Sequence, residues 1–117
     1  MDKVALLKID KDCFVDRGWI GDYVHVIVTT CERFGARVIS IKTCKSKRKG
    51  LHFYVHVNAW LDANLANKLQ WLLGDDSARV DFNRARIDSG LNEWNKLFEV
   101  SGRRLTTVYE CPWKYLT

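Results

Sequence analysis

Apolar and polar residues alternate along several stretches of this chain and return at helical spacing along others. From Val4 to Asp10 the alternation predicts a strand, with Ala5, Leu7 and Ile9 forming a cleaner apolar row than Val4, Leu6 and Lys8. Between Trp19 and Phe34, Ile20, Val24, Ile27 and Cys31 recur every three or four residues and Gly35 follows as a stop. A helix is expected there despite the β-branched Val24, Val26, Ile27 and Val28. Arg37 to Thr43 alternates again. So does the stretch after Gly50, with Leu51, Phe53, Val55 and Val57 on one face and His52, Tyr54, His56 and Asn58 on the other. These two strands read as a hairpin. Trp60 to Leu73 carries Leu61, Leu65, Leu69 and Leu72 on one helical stripe, with Asp62 near the positive end and Gly74 as terminator. Asp76 or Ser77 can cap a short third helix to about Ser89, its inward side formed by Ala78, Phe82 and Ala85 and its end by Gly90. Lys96 to Val100 and Leu105 to Glu110 flank Ser101-Gly102-Arg103-Arg104 and predict a terminal hairpin.

The order βαββα, a further helix and a C-terminal β-hairpin predicts an α+β fold: a ferredoxin-like or RRM-like antiparallel sheet with helices on one face. In that arrangement the first and third strands are central neighbours, so Asp10 should stand beside His52 on the open face. With 117 residues, 47% of them hydrophobic, the chain can build one ordinary core, and a single domain spanning 1–117 is expected. No stretch approaches the roughly 20 apolar residues that span a bilayer. Cys13, Cys31, Cys44 and Cys111 show no CxxC spacing and no signal peptide precedes them, which predicts reduced thiols and a cytoplasmic protein.

A formal charge of +5 favours polyanionic partners, and its distribution matters more than its size. Lys42, Lys45, Lys47, Arg48 and Lys49 concentrate in and around one turn, which could neutralise phosphates. Tyr54 points to the same side as His52 and is the favoured base-stacking platform. Trp19, Trp60, Trp71, Trp94 and Trp113 are mainly core candidates, though some could stack as well. Arg79, Asn83 and Arg86 form a basic strip on one side of the third helix, open to solvent or to nucleic acid. Asp10 and Asp12 sit two apart at the end of the first strand, where both carboxylates project from one face and could share Mg²⁺ or Mn²⁺. Asp75 and Asp76 read as acids that cap the helix after them.

The run LLKIDKD, a helix, and then VISIKTCKSKRKGLHFYVHV resembles the archaeo-eukaryotic primase superfamily, most closely the primase-like polymerase domains of bacterial end-joining ligases. Those proteins have a strand ending in DxD, an intervening helix, and a hairpin whose second strand begins SGGKGLH. The likeness is closest at Lys49-Gly50-Leu51-His52 and covers about half the chain, from Leu6 to Asn58. Lys47 and Arg48 stand where the family has a glycine pair, and the family's additional α/β module has no room here. The resemblance implies that Asp10 and Asp12 ligate metal, that Ser46 and Lys49 line nucleotide phosphates, and that His52 contacts a phosphate. Asp81, or Glu99 in its place, would supply the family's third carboxylate. The later segment LLGDDSARVDFNRAR is also similar to small proteins of archaeal viruses and plasmids. That likeness implies a mobile-element origin and a host cytoplasm.

Three functions follow as expectations. The first is a small nucleic-acid-binding protein, in replication of a mobile element, that takes single-stranded DNA or RNA, or nucleotides, on its basic loop and open sheet face. The second is a divalent-metal-dependent nucleotidyltransferase or nuclease with Asp10, Asp12 and His52 at its centre. The third is a protein-interaction module without catalysis, such as a homodimer formed through exposed sheet.

Overall fold

The computed structural model describes residues 3–11, 17–45, 50–97 and 104–112. Its elements run β1 (Lys3–Lys11), α1 (Arg17–Arg33), β2 (Val38–Lys45), β3 (Leu51–Asp62), α2 (Ala63–Leu72), α3 (Ser77–Asp88) and β4 (Thr106–Glu110). The expected α+β class is present. The four strands form one antiparallel sheet in the order β1-β3-β2-β4. β1 and β3 are neighbours as expected, but the central pair is β3 with β2, and β1 is an edge. β4 pairs with β2; Lys96 and Leu97, expected to open a hairpin with it, have no strand conformation, and 98–100 lie outside the described residues.

Alternation explains the core. Leu7 and Ile9 of β1, Ile41 of β2, and Phe53 and Val55 of β3 meet Ile27 and Cys31 of α1 and Ala66 and Leu69 of α2, all at 0% exposure. Burying each large apolar side chain stabilises the fold by about 1.5–3 kcal/mol. Trp19 stacks on Tyr23 at 4.7 Å between centroids, and Tyr23 meets Phe53 edge-on at 5.0 Å. The Tyr23 hydroxyl donates to the Leu73 carbonyl at 2.6 Å, satisfying one of the acceptors that the end of α2 leaves over.

Two boundaries correct the sequence reading. β3 runs through Trp60 and Leu61 to Asp62, because Lys3 and Val4 of β1 pair with Asp62 and Leu61 across a register shift. Asp62 then caps α2, its carboxylate accepting from the Asn64 amide at 3.2 Å. The inward stripe of α2 also differs from the leucine row: Leu69 is buried, Leu72 is exposed, and Leu73 takes the inward place. Asp76 caps α3 by accepting from the Arg79 amide at 3.0 Å, as its type predicts, yet the helix is turned the other way round. Val80, Asn83 and Ile87 are buried, while Ala78, Phe82 and Ala85 face solvent.

That turn has a polar cause. The outer edge of β1 has no neighbouring strand among the described residues, and helical side chains complete it instead. Gln70 Oε1 accepts from the Lys8 amide at 2.9 Å, Asp75 Oδ1 accepts from the Asp10 amide at 2.8 Å, and Arg79 donates to the Lys8 carbonyl. Asn95 ties the seam together. Its Oδ1 accepts from Gln70 at 3.2 Å and from Arg79 at 3.1 Å, and its amide donates back to Gln70 at 2.8 Å. Asn83 donates to Asn67 at 3.2 Å, and Asn67 donates to the Val80 carbonyl at 3.1 Å. Buried polar groups are stable only with such partners, which is why a hydrophilic helix face packs inward here.

Among the described residues no helix is long and apolar enough to cross a membrane. Cys31, Cys44 and Cys111 are buried, and burial pushes the Cys31 thiol from its usual 9.0 up to about 11.

Candidate nucleic-acid interface

On the sheet face away from the core, the strand register sets side chains in rows. Asp10, His52 and Cys44 form the first; Lys8, Tyr54, Lys42 and Thr107 the second; Leu6, His56, Ser40 and Glu110 the third. Directly opposed side chains in such rows start about 4.5–5.5 Å apart. Asp10 and His52 therefore stand together as the alternation and strand order imply, with His52 Nε2 3.5 Å from Asp10 Oδ1. That separation exceeds a short charge-assisted hydrogen bond. His52 Nδ1 is also buried and has no hydrogen-bond partner among the described residues.

Exposure grades along β3. At one end His52 is 4% and Cys44 5% exposed, so the imidazole is closed off rather than presented to a phosphate, while the Asp10 side chain keeps 24% of its surface exposed. Further along, Tyr54 is half-buried, His56 is exposed, and Trp60 is 72% exposed. Trp60 lines a groove of about 650 Å³ together with Leu6, Lys8, Asn92, Trp94 and Lys96. Lys8 is fixed in it by a 3.2 Å bond from its ammonium to the Asn95 carbonyl. Among the described tryptophans Trp60 is the most exposed, ahead of Trp71 at 55%, and sequence reasoning undervalued it. Had β3 been carried two residues past Asn58, its period of two would have put Trp60 on the face of Tyr54 and His56.

The expected basic residues separate. Lys42 is exposed in the row of Tyr54, whereas Lys45, opposite Leu51, has the parity of the other face. Ser46, Lys47, Arg48 and Lys49 lie outside the described residues, as do Asp12 and Glu99. Arg79 is not a phosphate ligand in waiting. It pairs with Asp75 at 3.0 Å and also holds Asn95, Lys8 and Lys96, a structural role that consumes its donors. Arg86 is half-committed, with Nη1 donating to Asn83 Oδ1 at 3.2 Å and to the Trp94 carbonyl at 3.4 Å. Asp75 is more than a cap: burial raises its carboxyl pKa, against the opposing pull of Arg79 and of the Asp10 and Asp76 amides.

Asp81 lies exposed on α3, and among the described residues no three His, Cys, Asp or Glu side chains gather into a metal site. Of the expected metal ligands, Asp10 stands beside His52, a group expected to contact phosphate, and Asp81 joins no metal site with it. The chain matches no protein-family model, no curated protein and no solved structure.

Proposed function

We propose that this protein binds single-stranded nucleic acid across the outer face of its sheet, with bases stacked on Trp60 and Tyr54 and phosphates met by Lys42 and Lys96. The observation that carries the reading is Trp60: an indole 72% exposed beside a groove of about 650 Å³, on the face of Tyr54 and His56. Leaving a large aromatic ring in water is unfavourable unless something covers it, and every base offers a π-face of matching size. The +5 charge supports a polyanionic partner. A place in copying a mobile element rests on two resemblances alone, to primases for the copying and to small proteins of archaeal viruses and plasmids for the mobile element.

The test is anisotropy of labelled single-stranded DNA and RNA oligonucleotides over a salt series. Trp60→Ala should weaken binding by about 1–3 kcal/mol per stacked base. Lys42→Ala should flatten the plot of log affinity against log salt by about 0.7. Equal affinity for duplex, or no loss in Trp60→Ala, would remove the sheet face from the account.

The Asp10–His52 pair favours a second reading, a nucleotidyltransferase needing Mg²⁺ or Mn²⁺. The Asp10 carboxylate suits such a hard ion, but the His52 imidazole does not suit Mg²⁺, and the described residues gather no set of three donors. Calorimetry with manganese and a nucleoside triphosphate decides it: heat that Asp10→Ala abolishes supports the enzyme, and absence of heat ends it.

A further inference from the structure

Beyond the end of β1, between α3 and the strap that follows it, lies a second cavity of about 260 Å³. Asp10, Asp76, Arg79, Phe82, Arg86 and Lys96 line it. Phe82 is 62% exposed and takes no part in the core, so its ring is available at the cavity wall. The Arg86 guanidinium lies 6.0 Å from that ring's centroid. Its Nη1 is anchored to Asn83 and Trp94, while Nε and Nη2 have no hydrogen bond among the described residues. Lys96 is exposed beside it. Asp76 uses Oδ1 to cap α3, and its Oδ2 has no hydrogen bond among the described residues.

Charge balance narrows the ligand. Arg79 is neutralised by Asp75 and Asp10 stands against His52, which leaves Arg86 and Lys96 facing the carboxylate of Asp76. A lining of two cations and one anion attracts an anionic group and also offers an acceptor to hydrogen-bond donors. It suits a molecule that carries an anionic group and hydrogen-bond donors together. With a planar ring at the wall, that description fits a ribonucleotide. A guanidinium and an ammonium can hold a phosphate, a carboxylate can accept from ribose hydroxyls, and phenylalanine can stack on a base.

We propose that this cavity is a ribonucleoside monophosphate site, with phosphate on Arg86 and Lys96, base on Phe82, and a ribose hydroxyl donating to Asp76. It shares Lys96 with the sheet-face reading, but Trp60, Tyr54 and Lys42 do not line it, so Phe82→Ala tests this site and Trp60→Ala tests the sheet face.

Titration calorimetry of the full chain with AMP, 2′-deoxy-AMP and inorganic phosphate tests it. AMP should bind, deoxy-AMP about tenfold more weakly because a hydrogen bond to a charged acceptor is lost, and phosphate more weakly still. Phe82→Ala, a change at an exposed position that leaves folding intact, should weaken AMP by about tenfold or more while sparing phosphate. Lys96→Ala should weaken AMP and phosphate alike. The proposal fails if AMP does not bind, if phosphate binds as well as AMP, or if Phe82→Ala binds AMP as the parent does.

Discussion

The two sides of β1 are closed by opposite means. On its inward face Leu7 and Ile9 are covered by carbon, and any side chain of similar shape could cover them. At its outer edge the closure is made by Gln70, Asp75, Arg79 and Asn95, each of which must offer a particular atom at a particular place. The apolar side draws its strength from area, which is forgiving of small changes. The polar side draws it from matching, where one missing donor strands several acceptors at once.

If that contrast holds, damage to the seam should exceed damage of similar size in the core. Arg79→Ala should lower stability by about 3–5 kcal/mol in urea unfolding, because it leaves the Asp75 carboxylate buried without its cation. Arg79→Lys should recover less than half of this, since an ammonium cannot reproduce the guanidinium fork. A loss under about 1 kcal/mol in Arg79→Ala would mean that α3 is held by something else.

Gly74, just past α2, has φ +87°, and an added Cβ would run into Lys11 Nζ. Gly74→Ala should cost about 1–2 kcal/mol, mostly backbone strain, because a lysine tip can move aside. Repeating the change in a Lys11→Ala background separates the two parts.

Ile9→Val, a core trim at 0% exposure, should cost only about 0.5–1.5 kcal/mol, which calorimetric melting can resolve.

Near neutral pH the smallest effect belongs to the ionisation of Cys31, which acts only in alkaline solution. Its thiol keeps its proton to about 11 when folded and loses it near 9.0 when unfolded. The stabilisation it gives is complete below pH 9.0 and is lost as pH rises through about 11. Cys31→Ala should therefore show a shallower decline of stability across that window than the parent.

Much of this arrangement was legible in the chain. The period of two fixed the faces of β1, β2 and β3, and with the strand order it put Asp10 next to His52. Gly35 and the helical spacing before it marked α1. The start of α2 escaped because Trp60 and Leu61 suit a helical leucine stripe as well as a strand. Only the pairing of Leu61 and Asp62 with Val4 and Lys3, far away in the chain, decides for the strand. The orientation of α3 escaped for a deeper reason. Apolar residues are expected inward, but Arg79 and Asn83 find partners in Asp75, Lys8, Asn67 and Asn95 that no local pattern reveals. The same blindness hid the closing of His52, since strand alternation gives a side chain its direction and says nothing of what lies over it.

An unsatisfied strand margin is an invitation for another chain to add itself and keep growing. Gln70 and Asp75 hold the Lys8 and Asp10 amides that such a newcomer would need, so α2 and the turn after it act as a built-in stopper. A lesion at Gln70 would then announce itself less as unfolding than as molecules joining side to side.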